Sequence, residues 1–462
     1  MRQELNFMKK ISKAKKPGIF YRLLKTYLRF IHDKLYYRRT YTLNNEIIPE
    51  DGTPLMVVSN HQNCLNDPLG LLFAFHDRKP NFITRSDVFS IHPFANKFLR
   101  SIGLLPAFRI NYEGEEALSN NKETFLITEQ ALINGQTIIM YPEAGHQDKR
   151  WLGDFSFGYT KLAFEAAELN NFESDILILP SCNHYSDYYH IQEQFLVKFG
   201  TPISLQPYYE LYKTKPRTAQ RQINNLVRKQ ISDLMLNIED LENYQAIDFL
   251  RNTYGKKYAS DHNFHPEKLP DRLVSDKAFV AGLDKAKSIE KNTITQIYQQ
   301  ALILEKGIKE LKINNVLFDK TPSNARIAIE ISIYMMLLPL WLFSLWPNAL
   351  NFVIPKLIID RVKDKLFYGT FLYASSVLIT IPIFYTTTFI LTCIYINIWI
   401  ALFYLALLPL LGLFAWYYKK SFIQTCQALR FRKYINTTKL NNLKELRVNM
   451  YKKLDTLLKL VK

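Results

Sequence analysis

The stretch VVSNHQNCLNDPLGLL, residues 57–72, decides how the rest of the chain is read. It begins as a buried-type strand, passes through a polar turn and opens an apolar helix. His61 and Asp67 lie six positions apart within it. On one regular helix that spacing sets two side chains about 120° apart and about 9 Å along the axis, beyond hydrogen-bond reach. The pair meets only if His61 sits in the turn and Asp67 at the helix start. Asp67-Pro68 fits such a start, with Asp as N-cap and Pro at the first helical position. A histidine oriented by a carboxylate is a general base: the carboxylate fixes the tautomer and stabilises the imidazolium. A loop histidine beside a helix-capping aspartate would read the same way, so the passage alone leaves both readings open.

Outward from this point, residues 47–205 alternate short apolar runs with helical stretches. The strand candidates are 54–59, 81–86, 137–142, 175–181 and 193–200, and helix candidates lie at 68–76, 92–101, 122–134 and 156–170. That alternation predicts an α/β domain with a mainly parallel, mixed sheet. Residues 1–46 read as a basic amphipathic helix region suited to a membrane interface, with apolar positions from Leu23 to Tyr36 among Lys and Arg. Residues 206–325 read as an all-helical insert, with 256–275 as a polar loop.

Residues 326–418 read as a membrane segment. The stretches 370–393 and 398–418 carry no charge, and each is long enough to span as a helix. Residues 329–355 are broken by Pro339, Pro347 and Asn348 and predict a re-entrant hairpin. The net charge of +17 is uneven. Residues 1–40 hold twelve basic and two acidic side chains, and the tail 419–462 holds the same numbers, so each end is +10 and the middle is −3. Basic ends beside apolar segments suit an anionic lipid surface rather than nucleic acid. With the basic link 356–368, they predict an integral membrane protein whose catalytic domain and both termini are cytoplasmic. Four dispersed cysteines without a CxxC pattern argue against a zinc site or a disulfide framework. The first apolar stretch, near Ile19–Tyr21, is too short for a secretory leader.

Four blocks in order resemble the glycerolipid acyltransferase family, which includes glycerol-3-phosphate and 1-acylglycerol-3-phosphate acyltransferases. Asn60-His61 through Asp67 resembles the family's NH-x4-D motif as a longer-spaced, H-x5-D variant. Asp67 is the match because Pro68 and an apolar run follow, and Asn66 at the usual spacing is the competing assignment. Gly103 to Arg109 resembles the glycine-to-arginine block, whose Arg holds the substrate phosphate as a charge-assisted clamp. Pro142-Glu143-Ala144-Gly145 resembles the PEG block of the acceptor site, with Ala144 where Gly is usual. Lys149 and Arg150 downstream would add phosphate contacts. Ile178–Ser181 and Lys198–Ile203 resemble the closing strand and its FG-x-P-[IV] ending.

The resemblance covers roughly 50–205. It implies acyl transfer from acyl-CoA or acyl-carrier protein to a hydroxyl of 1-acylglycerol 3-phosphate or glycerol 3-phosphate. His61 and Asp67 would be catalytic, with Arg109, Glu143, Gly145, Lys149 and Arg150 on the substrate and no metal or other cofactor. Two alternatives share the same sequence features: an acyltransferase for another lysolipid or an amino-acid-derived lipid, and a non-enzymatic membrane scaffold.

Overall fold

The computed structural model describes residues 17–75, 78–89, 93–107, 116–143, 145 and 147–460. The chain divides into two compact units. One comprises Met1–Asn237 with Asp364–Thr370, and the other Ile238–Lys363 with Phe371–Lys462.

The first unit is built on an eight-stranded sheet, with strands β1 (Arg39–Leu43), β2 (Leu55–Ser59), β3 (Asn81–Arg85), β4 (Leu104–Ala107), β5 (Thr137–Met140), β6 (Leu177–Tyr185), β7 (Gln194–Phe199) and β8 (Ile203–Ser204). Their order is β1-β7-β6-β2-β5-β3-β4, and β8 pairs with β6. Only the pairings β6–β7 and β6–β8 are antiparallel among the described strands. All five strands expected from the sequence are present. Three short ones, β1, β4 and β8, join them. β1 corrects the first boundary: Arg-Thr-Tyr-Thr-Leu pairs in parallel with β7 and belongs to the sheet rather than to an interfacial region. Every residue of β2 is buried, as expected of a central parallel strand covered on both faces.

Helices α1 (Ile19–Phe30), α2 (Asn66–Ala74), α3 (Pro93–Ser101), α4 (Glu116–Ile133), α5 (Gly158–Leu169), α6 (Tyr209–Thr214) and α7 (Pro216–Leu234) complete this unit. α2 packs tightly against β7. A Cβ on Gly70 would lie 2.2 Å from the Phe195 ring, so only glycine permits this approach. Leu69, Leu71 and Phe73 of α2 are buried, each stabilising the fold by roughly 1.5–3 kcal/mol. α7 lies past the expected domain boundary at 205 yet belongs here. Its stripe Ala219, Ile223, Val227 and Ile231 is fully buried in the same cluster as Met56, Val58 and Ile178 of the sheet.

α1 has two faces with different fates. Lys25 Nζ donates to the carbonyls of Phe75 and Arg78. On the other side Ile19, Phe20, Leu23 and Phe30 are exposed. A π-helical turn, Ile31–Tyr36, then leads into β1.

The second unit is helical: α8 (Tyr244–Thr253), α9 (Gly255–Asp261), α10 (Leu269–Ile289), α11 (Lys291–Leu311), α12 (Asn324–Leu345) and α13 (Ala349–Val362) come first. The expected loop at 256–275 is confined to residues 262–268, between two helices. Pro270 sits in the first turn of α10, where its missing N–H costs nothing, so it starts a helix there. α14 (Phe367–Ser375), which starts in the first unit, runs through a π-helical stretch, Ser376–Tyr385, into α15 (Thr386–Tyr395). α16 (Ile398–Tyr434) and α17 (Thr438–Leu460) close the chain.

Among the described residues, three helical stretches are long and apolar enough to cross a membrane: Asn324–Arg361, Phe367–Tyr395 and Ile398–Tyr434. The last two are joined by the two residues Ile396 and Asn397, and Asn397 Oδ1 caps α16 by accepting from Ile400 N. The first is interrupted by a 3-10 turn at Trp346–Asn348. Its two arms have different neighbours. On α12, Tyr334 meets Thr425, and Trp341 donates to the Ala415 carbonyl, so α12 runs antiparallel to α16. Past the turn, Asn348 accepts from Tyr385, and Asn351 Oδ1 accepts from Ser376 and Thr380, so α13 runs antiparallel to the 367–395 helix. Such amide and hydroxyl pairs satisfy polar groups that hydrocarbon would leave stranded.

Candidate active site

The site follows from sheet register. β2 is parallel to both β5 and β6, with Val58 opposite Met140 and Ser59 opposite Ser181. The chain therefore leaves β2 and β5 at the same carboxyl edge, where ligands bind in open α/β sheets. His61 is three residues past Val58, and Glu143 is three past Met140. They meet there: His61 N–H donates to Glu143 Oε1 at 2.8 Å. Glu143 Oε2 accepts from Gly153 N at 2.9 Å, so this one carboxylate ties two loops together. Burial pushes the Glu143 carboxyl above its usual range, and the two N–H donors pull against that shift.

His61 Nδ1–H donates to Asp67 Oδ2 at 2.7 Å. Gln62 N and Asn63 N donate to the same oxygen, each at 2.7 Å. The other oxygen, Oδ1, accepts from the Tyr185 hydroxyl at 2.5 Å. Asp67 is completely buried, whereas the His61 side chain keeps 20% of its surface. A buried carboxylate is tolerable only when so bonded. The imidazole also stacks on Tyr141, with ring centroids 4.5 Å apart, which covers one face of the ring.

One detail differs from the sequence expectation. The helix begins at Asn66 with Leu65 at the N-cap position, so Asp67 lies inside the first turn and not at the cap. Its carboxylate reaches back to the amides of the preceding turn, which is how the extra residue is accommodated. Cys64 takes up the remaining slack with φ +41°, a left-handed conformation unusual outside glycine. The competing residue, Asn66, turns elsewhere: its Nδ2 donates to Asn63 Oδ1 at 3.2 Å.

Around the pair lies a polar frame. Asn60 exchanges hydrogen bonds with the Asn183 backbone, donating to its carbonyl and accepting from its N–H. Gln62 accepts from Tyr188 OH and donates to the Lys149 carbonyl. Leu65 N donates to Thr370 Oγ1 at 3.2 Å. Gly369 is packed so closely beside Tyr36 that a Cβ would lie 2.2 Å from its hydroxyl. The 364–370 segment thus packs onto the His61 turn within the first unit. Burial and the neighbouring Asp67 charge push the Cys64 thiol up to about 12, so it is no nucleophile at neutral pH.

The arrangement is a histidine base held by a buried carboxylate, at the carboxyl edge of a parallel sheet. The family model described as Acyltransferase matches residues 39–183, which contain all of it. That part of the sheet domain is similar to the acyltransferase family. No curated protein matches the chain. Among solved structures, one match is the 1-acyl-sn-glycerophosphate (LPA) acyltransferase PlsC from Thermotoga maritima. It is 15% identical, with 45% of this chain and 79% of that chain covered and a TM-score of 0.30.

In the sheet domain the other expected contacts fall as follows. Arg109 lies outside the described residues; β4, which precedes it, ends at Ala107 on the same carboxyl edge. Gly145 is exposed, and a Cβ there would meet nothing within 4 Å. Lys149 is half-buried, with Nζ 5.9 Å from the Trp151 ring centroid. Arg150 is buried; its Nη2 donates to the Tyr185 carbonyl at 2.9 Å, and the guanidinium lies over the Tyr188 ring. Those contacts brace the loops of the site. Ala144 and His146 lie outside the described residues. No group of three metal-ligating side chains occurs among the described residues. Tyr185 is the residue that sequence reading passed over. It lies 118 positions from Asp67 at the end of a strand, and no local pattern marks it.

Proposed function

We propose that this protein transfers a fatty acyl group from acyl-CoA or acyl-carrier protein to a hydroxyl of 1-acylglycerol 3-phosphate or glycerol 3-phosphate. The observation that carries the reading is the 2.7 Å bond from His61 Nδ1 to the buried Asp67 carboxylate, at the carboxyl edge of an acyltransferase-family sheet. With Nδ1 committed to Asp67, Nε2 takes the proton from the acceptor hydroxyl. The alkoxide oxygen then attacks the thioester carbonyl, and collapse of the tetrahedral intermediate releases the thiol. Asp67 stabilises the imidazolium in between. Arg109, beyond β4, is assigned to the acceptor phosphate, together with Lys149. No cofactor enters the reaction. The decisive assay is the purified protein in lipid vesicles with each acyl donor and both acceptors, products identified by mass spectrometry. Consumption of thioester with no acylated acceptor would remove the reading. Acylation only of acceptors without phosphate would transfer it to another lysolipid.

The reading includes a membrane setting. The His61 domain and both termini are assigned to the cytoplasmic side, with the exposed Ile19, Phe20, Leu23 and Phe30 of α1 and its basic neighbours on anionic headgroups. The 364–370 segment belongs to the His61 unit, and no candidate span precedes residue 324 among the described residues. Both ends of the 324–361 stretch are thereby assigned to one side, with a bend at Trp346–Asn348 and two full crossings after it. A thiol introduced as Lys365→Cys is expected to react with an impermeant maleimide only from the side that exposes the His61 domain. Labelling from the opposite side would overturn this topology.

A further inference from the structure

Tyr185 is completely buried at the end of β6. Three constraints fix it. Its backbone pairs with Phe195 across the antiparallel β6–β7 ladder. Its carbonyl accepts from Arg150 Nη2 at 2.9 Å. Its ring packs on Phe195 and Tyr188, with centroids 4.8 Å and 5.4 Å away. The hydroxyl therefore has one place to point, and at that place is Asp67 Oδ1. The two carboxylate oxygens are used differently: Oδ2 serves the His61 turn and Oδ1 serves Tyr185.

We propose that Tyr185 is a positioning residue of the acyl-transfer reaction, holding the Asp67 carboxylate in the plane that His61 needs and sharing its charge. Arg150 belongs to the same device, since it anchors the strand end that carries the phenol. The proposal rests on the reading of His61 and Asp67 given above. Rotation about the Cβ–Cγ bond carries both carboxylate oxygens away from their partners, so the donor on Oδ1 adds to the resistance that the three donors on Oδ2 already supply. The same donor draws negative charge away from the imidazole side. Removing it leaves Asp67 a stronger partner for the imidazolium but a looser one. Turnover then falls while the acid limb of the rate profile moves to higher pH.

Among the described residues, four titratable groups besides Tyr185 face the pair. Glu143 approaches from the turn after β5, Tyr141 from β5, Tyr37 from the segment after α1, and Cys64 from the turn itself. Of these, Tyr37 also packs against Tyr185, with ring centroids 6.4 Å apart.

The experiment compares wild type, His61→Ala, Tyr185→Phe, Asp67→Asn and the double variant Tyr185→Phe/Asp67→Asn in lipid vesicles. In Tyr185→Phe, kcat is expected to fall about tenfold, as for a lost hydrogen bond to a charged group. KM for donor and acceptor should stay within about twofold, and the acid limb of kcat/KM should rise by about half a pH unit. In the Asp67→Asn background the same change should cost less than about twofold, because the partner charge is already gone. A 3-fluorotyrosine at position 185 keeps the volume and donates more strongly, so the limb should move to lower pH. Equal losses in both backgrounds, or an unmoved limb in both the Phe and the fluorotyrosine proteins, would overturn the proposal and leave Tyr185 a packing residue. If wild type and His61→Ala transfer acyl groups equally, the His61 reading fails and this one falls with it. A His61-dependent wild type with an unaffected Tyr185→Phe protein removes this proposal alone.

Discussion

His61→Ala is expected to lower kcat by roughly 10²–10⁴-fold, the range for loss of a general base, with little change in KM. The acceptor hydroxyl ionises too weakly at neutral pH to attack unaided, so the step depends on a base within hydrogen-bond reach. His61 offers an imidazole that is one-fifth exposed and is stacked on Tyr141 behind. Substrate contacts are assigned to other elements, beyond β4 and in the 143–150 loop, so binding should survive. The fold should survive too. The backbone amide that donates to Glu143 remains, and Asp67 keeps its bonds from Gln62 N, Asn63 N and Tyr185. Steady-state rates in vesicles, with a melting curve beside them, check the prediction. Near-normal turnover in a folded variant would eliminate His61 as the base.

The pair was legible in the sequence because its spacing is restrictive. Six residues exclude a shared helix face, so contact requires a turn; Pro68 signals a helix start there, although the helix begins two residues earlier than that proline suggests, at Asn66. Asp67 over Asn66 followed from the same proline. The five main strands were legible as apolar runs between helical stretches. β4 was not, because Leu-Leu-Pro-Ala is four residues with a proline, and β8 is only two long. α7 was recognised as a helix but assigned to the insert. Its buried stripe shows where it packs only once the sheet it covers is known. A basic residue after the PEG-like block, Arg150, reads as a phosphate contact; what the sequence does not reveal is that its side chain is buried with Nη2 on the Tyr185 carbonyl. Composition and motif order identify who is near the site. Which way a side chain turns depends on neighbours far away in sequence, and Tyr185 is the case in point.

Asp67 separates the catalytic reading from a capping one through two substitutions. Asp67→Asn is expected to cost roughly 10²–10⁴-fold in kcat while the protein stays folded. The Asn oxygen can take the place of Oδ2 and still accept from Gln62 N and Asn63 N. Its NH₂ then faces Tyr185, whose hydroxyl can turn from donor to acceptor. What is lost is the charge that stabilises the imidazolium. Asp67→Ala is expected to lose as much activity and, in addition, stability. It strands the Gln62 and Asn63 amides and the Tyr185 hydroxyl in a buried site, at about 1–3 kcal/mol for each group left unpaired. The melting temperature should therefore fall clearly for Ala and little for Asn, with turnover equally poor in both. If Asp67 served only as an acceptor for backbone amides, Asn would do that work nearly as well, and the Asn variant would keep most of its turnover. A fully active Asp67→Asn protein would therefore leave His61 without its partner, even with the 2.7 Å contact in place.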